Sequence, residues 1–139
     1  CPHHGPSLSI AADGIYHATW FNNAPERHGL FYAYSNDQGR TFSSPLNFGN
    51  FEAQPAHPYV LSLGSRVYLA WKEFDGESTG ILGMHSGDGG KSWSAPEKLA
   101  GTSDVSDWPL LIGNNSKAYL SWNTKNEGYR LIEISGEHQ

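Results

Sequence analysis

The sequence predicts an all-β protein built from repeated four-stranded antiparallel units, and two observations lead to this prediction. Turn residues and aromatic residues are abundant, with 16 glycines, 8 prolines and 13% aromatic residues against only 17% charged residues. Trp20, Trp71 and Trp122 each end a strand-like run, and they stand 51 residues apart. Short strands, frequent turns and a period near 50 are typical of β-propeller blades rather than of helices or disordered chains.

Each repeat is expected to hold short strands joined by tight turns. Pro6, Pro58 and Pro109 each open a short apolar segment, which predicts the first strand of a repeat. The second strand is the run that ends at the tryptophan, and the third and fourth strands flank a glycine-containing turn. The expected strands are 7–11, 14–21, 29–35 and 44–48 in the first repeat, 59–63, 66–73, 80–86 and 95–99 in the second, and 109–112, 117–123 and 129–135 in the third.

The repeats divide residues 1–139 into blades at approximately 6–50, 58–101 and 109–139, the last lacking its fourth strand. Ser135-Gly136-Glu137 begins like a further turn but is not completed. A closed propeller needs more blades, so the chain is expected to supply about three blades of a six-bladed or, alternatively, seven-bladed ring. The first residues, Cys-Pro-His-His, fit a mature or truncated product of something longer.

Three arrangements would complete the ring: a separate polypeptide, a chain portion missing from this sequence, or a second copy joined head to tail. The first two are favoured, because a symmetric dimer would leave an unfilled strand edge twice. The expected partner is therefore another polypeptide or chain portion that completes the propeller.

Two eight-residue segments share the pattern Ser-x-Asp-x-Gly-x-(Ser/Thr)-aromatic and also lie 51 residues apart. Their defining residues are Ser35, Asp37, Gly39, Thr41 and Phe42 in the first segment, and Ser86, Asp88, Gly90, Ser92 and Trp93 in the second. The aspartate can accept hydrogen bonds from nearby backbone N–H groups, glycine supplies a positive φ, and the closing aromatic is expected to tuck under the turn. Each segment is therefore predicted to be a hairpin turn between two strands.

This pair of segments resembles the Asp boxes of the Asp-box, or BNR-repeat, β-propellers, the superfamily that includes the sialidases. The resemblance implies that the boxes are structural hairpins between the third and fourth strands of a blade, on the face away from the active site. It also implies that ligands bind on the opposite face, which the inter-blade connections and the loops between second and third strands form.

Four residues on that implied ligand face are predicted to bind a ligand: His4, His57, Trp108 and Arg27. The first three stand just before the prolines that open the blades, so successive connections present them around the channel mouth. Imidazoles there can bind a ligand or metal or act as acid and base. The structural alternative is that these side chains only fix the loop backbones and the blade register.

The tryptophans fall into two classes. Trp20, Trp71 and Trp122 recur at one strand position, which predicts packing between blades rather than a platform for sugars. Trp108 departs from the repeat and lies in a connection, so it is the better candidate for a functional aromatic residue.

Cys1, His3 and His4 are weak candidates for a metal site, because thiolate and imidazole suit zinc or copper. They lack a second pair of ligands at the usual spacing, and Cys1 could instead form a disulfide with another portion of the protein. The cofactor therefore stays unknown, with a metal left open. No Cys-x-x-Cys-His motif is present, so covalent haem attachment is not indicated.

The resemblance also implies a set of catalytic groups. Hydrolytic members of the superfamily hold the sialic acid carboxylate with three arginines, use a Tyr/Glu pair as nucleophile and use an Asp as acid/base. Arg27 and Arg130 are the plausible arginines here, and Tyr129 could act as nucleophile, although a Tyr-Arg pair at a strand start is more often structural. Glu52, Asp104 and Asp107 lie on the right connections for a two-carboxylate mechanism, but no spacing singles out a pair.

These features favour an exported binding or interaction module of a bacterium, secreted, periplasmic or on the cell surface, that binds a glycan, metal or protein at the channel mouth. The first alternative is an active exo-glycosidase of the sialidase type whose catalytic residues lie partly in a missing portion. The second is a structural subunit of a larger assembly. The net charge of −5 argues against nucleic acid as a partner, and no apolar run is long enough to span a membrane.

Overall fold

The computed structural model describes residues 6–24 and 27–135, with the side chains of residues 23, 24, 27 and 28 outside the description. These residues form antiparallel strands and one short 3-10 turn, Phe51–Ala53. The strands are β1 (Ser7–Ile10), β2 (Tyr16–Ala24), β3 (Arg27–Ser35), β4 (Leu46–Phe48), β5 (Ala56–Leu63), β6 (Arg66–Phe74), β7 (Thr79–Ser86), β8 (Glu97–Thr102), β9 (Leu110–Asn114), β10 (Lys117–Thr124) and β11 (Gly128–Glu133).

The strands pair in sequence order into three sheets, β1–β4, β5–β8 and β9–β11. Every pairing between neighbouring strands is antiparallel, and the first two sheets have four strands each. The third sheet has three strands within the described residues. The all-β prediction and the four-stranded antiparallel blades are thereby confirmed.

Two hydrophobic clusters hold the three sheets together. Trp71 and Leu69 of β6 pack against Leu30 and Tyr32 of β3 in the first cluster. The neighbouring residues of β6 point the other way, and the second cluster joins the second sheet to the third through residues that include Trp122. Because side chains alternate along a strand, the second sheet is buried on both faces. Burying an indole of roughly 200 Å² contributes on the order of 5 kcal/mol before entropy costs.

The repeated tryptophans therefore lie mostly in the core, as predicted. Trp71 and Trp122 are fully buried, each facing the preceding sheet. Trp20 is only half-buried and stacks on Phe31 within its own sheet, with ring centroids 6.1 Å apart. It occupies the face of the first sheet that no other described sheet covers.

The innermost strands of the first two sheets lie side by side. The Ser7 and Ser9 hydroxyl oxygens accept hydrogen bonds from the Val60 and Ser62 backbone N–H groups, at 3.2 and 2.9 Å. The Ser9 and Ser62 hydroxyl groups are also hydrogen-bonded to each other, at 2.7 Å. These hydrogen bonds hold β1 and β5 side by side, so both strands start at the same end of the molecule.

The two eight-residue segments close the β3–β4 and β7–β8 hairpins with the same hydrogen bonds. In the first, the Ser35 hydroxyl and the Thr41 N–H donate to Asp37 Oδ1 at 2.7 and 2.9 Å, and the Gly39 N–H donates to Ser35 Oγ at 2.9 Å. Bonds from the Thr41 hydroxyl and N–H and from the Ser35 hydroxyl lower the pKa of Asp37 to about 2. Ser86, Asp88, Gly90 and Ser92 repeat the pattern in the second hairpin.

The closing aromatics of the two turns differ, which corrects one expectation. Trp93 is half-buried and meets the Tyr32 ring edge-on, with centroids 5.0 Å apart. Phe42 is 46% exposed, so its ring does not tuck under the turn as expected. The physical reason is its position: Trp93 packs on the sheet before its own, whereas no described sheet precedes that of Phe42.

In the part of the chain that the structure describes, no helix has the length and apolar character needed to cross a membrane.

Candidate functional site

The starts of the first strands surround an open depression of about 420 Å³. We call it the first-strand depression. It lies at the end of the molecule opposite the hairpin turns at residues 35–42 and 86–93, which we call the box turns. It is lined by Pro6, Ser7, Leu8, His57, Pro58, Tyr59, Trp108 and Leu110. These residues come from all three sheets, because each sheet begins with its innermost strand at this end.

The rings of His57 and Trp108 stack within the depression. Their centroids lie 5.0 Å apart and their planes are inclined by 22°. Trp108 nevertheless leaves 52% of its surface exposed. The structure thus brings together two of the residues that the sequence predicted as ligand-binding, and their binding role stays a prediction.

The backbone at His57 is strained. Its φ is +54°, and the pairing of β5 with β6 shifts register between Ala56 and Tyr59. A left-handed conformation costs a non-glycine residue roughly 1–2 kcal/mol. Bulges of this kind re-aim side chains, and backbone strain of this kind clusters at functional sites. Here the bulge accompanies the placement of the His57 ring against Trp108.

The connection that carries Trp108 is anchored to β10 just before Trp108. The buried Trp122 indole N–H donates to the Asp107 carbonyl oxygen at 2.7 Å, and the Asp107 N–H donates to the Asn123 carbonyl oxygen at 2.9 Å. One residue earlier, Ser106 forms an isolated bridge with Thr124. The backbone that leads into Trp108 is therefore fixed in place by the third sheet.

Lys72 lies beneath the same connection and was not singled out by the sequence. Its ammonium group donates to the Ser106 carbonyl oxygen at 3.4 Å. Burial lowers the pKa of Lys72, and the Asp107 carboxylate partly opposes that shift. A lysine on an apolar strand carries no pattern that distinguishes it from a solvent-exposed one, which is why sequence reasoning missed it.

The three carboxylates considered for catalysis are not gathered in the depression. Asp104 accepts a hydrogen bond from the Val105 N–H at 2.7 Å and lies 3.8 Å from the Lys125 ammonium group. Asp107 adjoins Trp108 but is not among the lining residues. Glu52 is exposed on the 3-10 turn of the preceding connection.

The side chains of Tyr129 and Arg130, both in β11, point to opposite faces of the third sheet. The Arg130 guanidinium group lies 5.2 Å from the centroid of the Trp122 ring, and its Nη2 donates to the Gly101 carbonyl oxygen at 3.1 Å. The Tyr129 hydroxyl is hydrogen-bonded to the Ser121 hydroxyl at 2.9 Å. Arg130 thus joins the second and third sheets, and the two side chains do not form a pair.

Several predicted site residues lie outside the description. These are Cys1, His3 and His4, together with the side chain of Arg27. Among the residues that are described, no three His, Cys, Asp or Glu side chains cluster closely enough to hold a metal ion.

A second depression of about 350 Å³ lies on the other side of the start of β5. We call it the Phe51 pocket, and it is lined by Phe21, Gly29, Phe51, Gln54, Pro55 and Ala56. Phe51 is 59% exposed. The sequence did contain one signal for it, since Phe51, like Trp108, stands in an inter-blade connection outside the repeat.

Comparison with known proteins supports the fold. No protein-family model matches the sequence, and no curated protein is similar to it at a significant level. The solved structure of Hadza microbial sialidase Hz136 is similar, with a TM-score of 0.59 and 15% identity, covering 93% of this chain and 32% of that one. Zg3597, a family 117 glycoside hydrolase of the marine bacterium Zobellia galactanivorans, has a TM-score of 0.58 and 16% identity, covering 94% of this chain and 52% of that one.

The chain therefore spans about a third and about a half of the lengths of these two solved chains. At such identities the similarity shows the fold alone, which is a set of β-propeller blades.

Proposed function

We propose that the chain is a glycan-binding part of a sialidase-like Asp-box propeller and that the first-strand depression is its binding site. The observation that carries the proposal is the half-exposed Trp108, stacked on His57 and held by an anchored connection. A sugar ring presents an apolar face that packs on an indole, while its hydroxyl groups reach toward polar neighbours.

The other lining groups suit this ligand. The Ser7 hydroxyl oxygen accepts from the Val60 N–H, so its own proton remains available to a sugar oxygen. The imidazole of His57 and the phenol of Tyr59 are further polar groups, and they stand among the prolines, leucines and Trp108 of the lining. Aromatic and aliphatic side chains combined with placed polar groups are the usual composition of a small-molecule site.

A substitution of Trp108 tests the proposal. We expect Trp108→Ala to weaken binding of lactose or 3′-sialyllactose at least tenfold, since a central aromatic contact contributes about 2 kcal/mol or more and about 1.4 kcal/mol is tenfold. Isothermal titration calorimetry measures the affinity. Val105→Ala is the control, because Val105 is 67% exposed in the same connection and does not line the depression. Wild-type affinity in Trp108→Ala, or no binding of either sugar by the wild type, would contradict the proposal.

An active exo-glycosidase of the sialidase type is the second candidate function, favoured by the sialidase and glycoside hydrolase names of the two similar structures. Release of the fluorophore from 4-methylumbelliferyl sialoside by the purified chain would support this candidate. Binding of 3′-sialyllactose without release would favour the binding module.

We also propose that a further polypeptide or chain portion covers the outer face of the third sheet and helps to complete a six-bladed ring. Leu110, Ile112 and Leu131 are exposed there. Leu110 and Leu131 flank Ser121 in register, so the two leucines lie on one face of the sheet with a serine between them. In stacked blades, the apolar residues of such a face pack on the next sheet. Export from a bacterial cell completes the proposal and agrees with the bacterial source of one similar structure.

A further inference from the structure

The two depressions on this face are separated by a short ridge, Gln54 to Pro58. Ala56 lines the Phe51 pocket, and the next residue, His57, lines the first-strand depression. Pro55 and Pro58 also divide between the two sites. Pro55 and Pro58 are three residues apart, a step that spans at most about 10 Å even in a fully extended chain, so neighbouring sugar rings of one glycan can reach both sides.

The ridge has an unusual backbone. Gln54 and His57 have φ angles of +53° and +54°, and both are non-glycine residues in the left-handed region. Pro55, between them, is buried. The conformation therefore presents the exposed Gln54 amide toward one depression and the His57 ring toward the other, at a conformational cost that glycine would avoid.

The exposed aromatic residues of the two depressions are supported in the same way. Trp108 follows Asp107, whose carbonyl oxygen accepts from the buried Trp122 indole at 2.7 Å. Phe51 follows Asn50, whose N–H donates to Glu73 Oε2 at 2.8 Å.

Glu73 in turn accepts from the buried Trp71 indole at 2.7 Å. In both connections the repeated tryptophan of the following sheet thus fixes the residue just before the exposed aromatic. The Asn50 side chain also caps the 3-10 turn by accepting from the Glu52 N–H at 3.1 Å. The backbone before Phe51 is thus anchored, as is the backbone before Trp108, while the Phe51 ring is exposed.

We infer that the Phe51 pocket is a second subsite for the same glycan, so that the chain recognises an oligosaccharide lying across the ridge rather than a single terminal sugar. This inference rests on the proposed binding at the first-strand depression. One sugar ring stacks on Trp108 and a later ring contacts Phe51. The Gln54 amide, which can both donate and accept, serves the hydroxyl groups beside the second ring.

The test compares galactose, lactose and lacto-N-tetraose on the wild type, Phe51→Ala and Trp108→Ala. We expect the wild type to bind lacto-N-tetraose at least tenfold more tightly than galactose. Phe51→Ala should bring that ratio close to one while galactose affinity stays unchanged, and Trp108→Ala should weaken binding of all three sugars. Phe42→Ala is the matched control, since Phe42 is 46% exposed in a box turn at the other end of the molecule.

The outcomes separate the two proposals. If Phe51→Ala keeps the wild-type ratio, or the wild type binds all three sugars equally, the second subsite is refuted while the first stands. If Trp108→Ala binds galactose like the wild type, the first site itself is refuted. Saturation-transfer NMR on the wild type gives an independent check, because two subsites require saturation in more than one ring of lacto-N-tetraose.

Discussion

Replacing Gly90 with alanine should destabilise the protein far more than the same change at Gly39, its counterpart in the first box turn. Both glycines have positive φ angles, +95° and +87°. A Cβ on Gly39 would meet Tyr16 at 3.6 Å, an ordinary contact. A Cβ on Gly90 would lie 2.8 Å from Tyr32 Cζ and closer still to its hydroxyl oxygen. Both alanine variants therefore carry the backbone strain, but only Gly90→Ala adds a steric clash.

The size of the difference follows from what surrounds Tyr32. The left-handed backbone costs alanine roughly 1–2 kcal/mol at both positions, so this contribution cancels in the comparison. Tyr32 is buried, and its hydroxyl is hydrogen-bonded to the buried His17 Nδ1 at 2.7 Å. Overpacking costs about 1–3 kcal/mol and loss of the hydrogen bond about 1 kcal/mol. Gly90→Ala should therefore exceed Gly39→Ala by about 2–4 kcal/mol.

Thermal unfolding followed by circular dichroism measures the effect. At about 3 °C per kcal/mol for a domain of this size, the Tm of Gly90→Ala should fall about 6–12 °C below that of Gly39→Ala. Tyr32→Phe in the Gly90→Ala background removes the colliding oxygen and should recover part of the loss. Equal Tm values for the two alanine variants would refute the contact between the second box turn and the first sheet.

Two further substitutions probe the other anchoring contacts. Asp37→Asn should reduce the dependence of the free energy of unfolding on pH in the acid range. The pKa of Asp37 is lowered to about 2, so the ionised carboxylate stabilises the fold fully above about pH 4. This stabilisation is lost as the pH falls toward about 2. Urea unfolding at stepped pH checks this, and an unchanged slope between pH 4 and 2 would contradict it. Glu73→Ala leaves the Trp71 indole and the Asn50 N–H without their acceptor and should cost about 2–4 kcal/mol in urea unfolding. Glu73→Gln retains an acceptor, so a loss as large as that of alanine would argue against the hydrogen bonds as the cause.

The fold was largely predictable because its repeat is a packing repeat. Trp71 and Trp122 recur at one position since each covers the sheet before it, and periodic apolar residues report such contacts directly. Phe42 shows the limit of this reasoning. The pattern around it matches that around Trp93, but burial depends on a neighbouring sheet, which a local pattern does not encode.

The candidate site was predictable only in part. Trp108 and His57 could be selected because both stand just before a blade-opening proline, and the structure places their rings in contact. The positive φ of His57 could not be foreseen, since no glycine marks it. Burial of Lys72 under the Trp108 connection depends equally on tertiary contacts that sequence spacing does not reveal.

Residues that break the repeat are more informative about binding than residues that obey it. Trp71 and Trp122 serve the same contact with the sheet before their own, so both are committed to the core and to anchoring the connections before them. The connections are free of that requirement, and it is there that Phe51 and Trp108 leave large aromatic surfaces exposed. Exposed aromatic rings lose the free energy of burial, about 25 cal/mol per Å², unless a ligand or partner covers them. The periodic tryptophans Trp71 and Trp122 thus anchor the connections, and the aperiodic aromatics Phe51 and Trp108 supply the exposed surface at which we propose that a glycan binds.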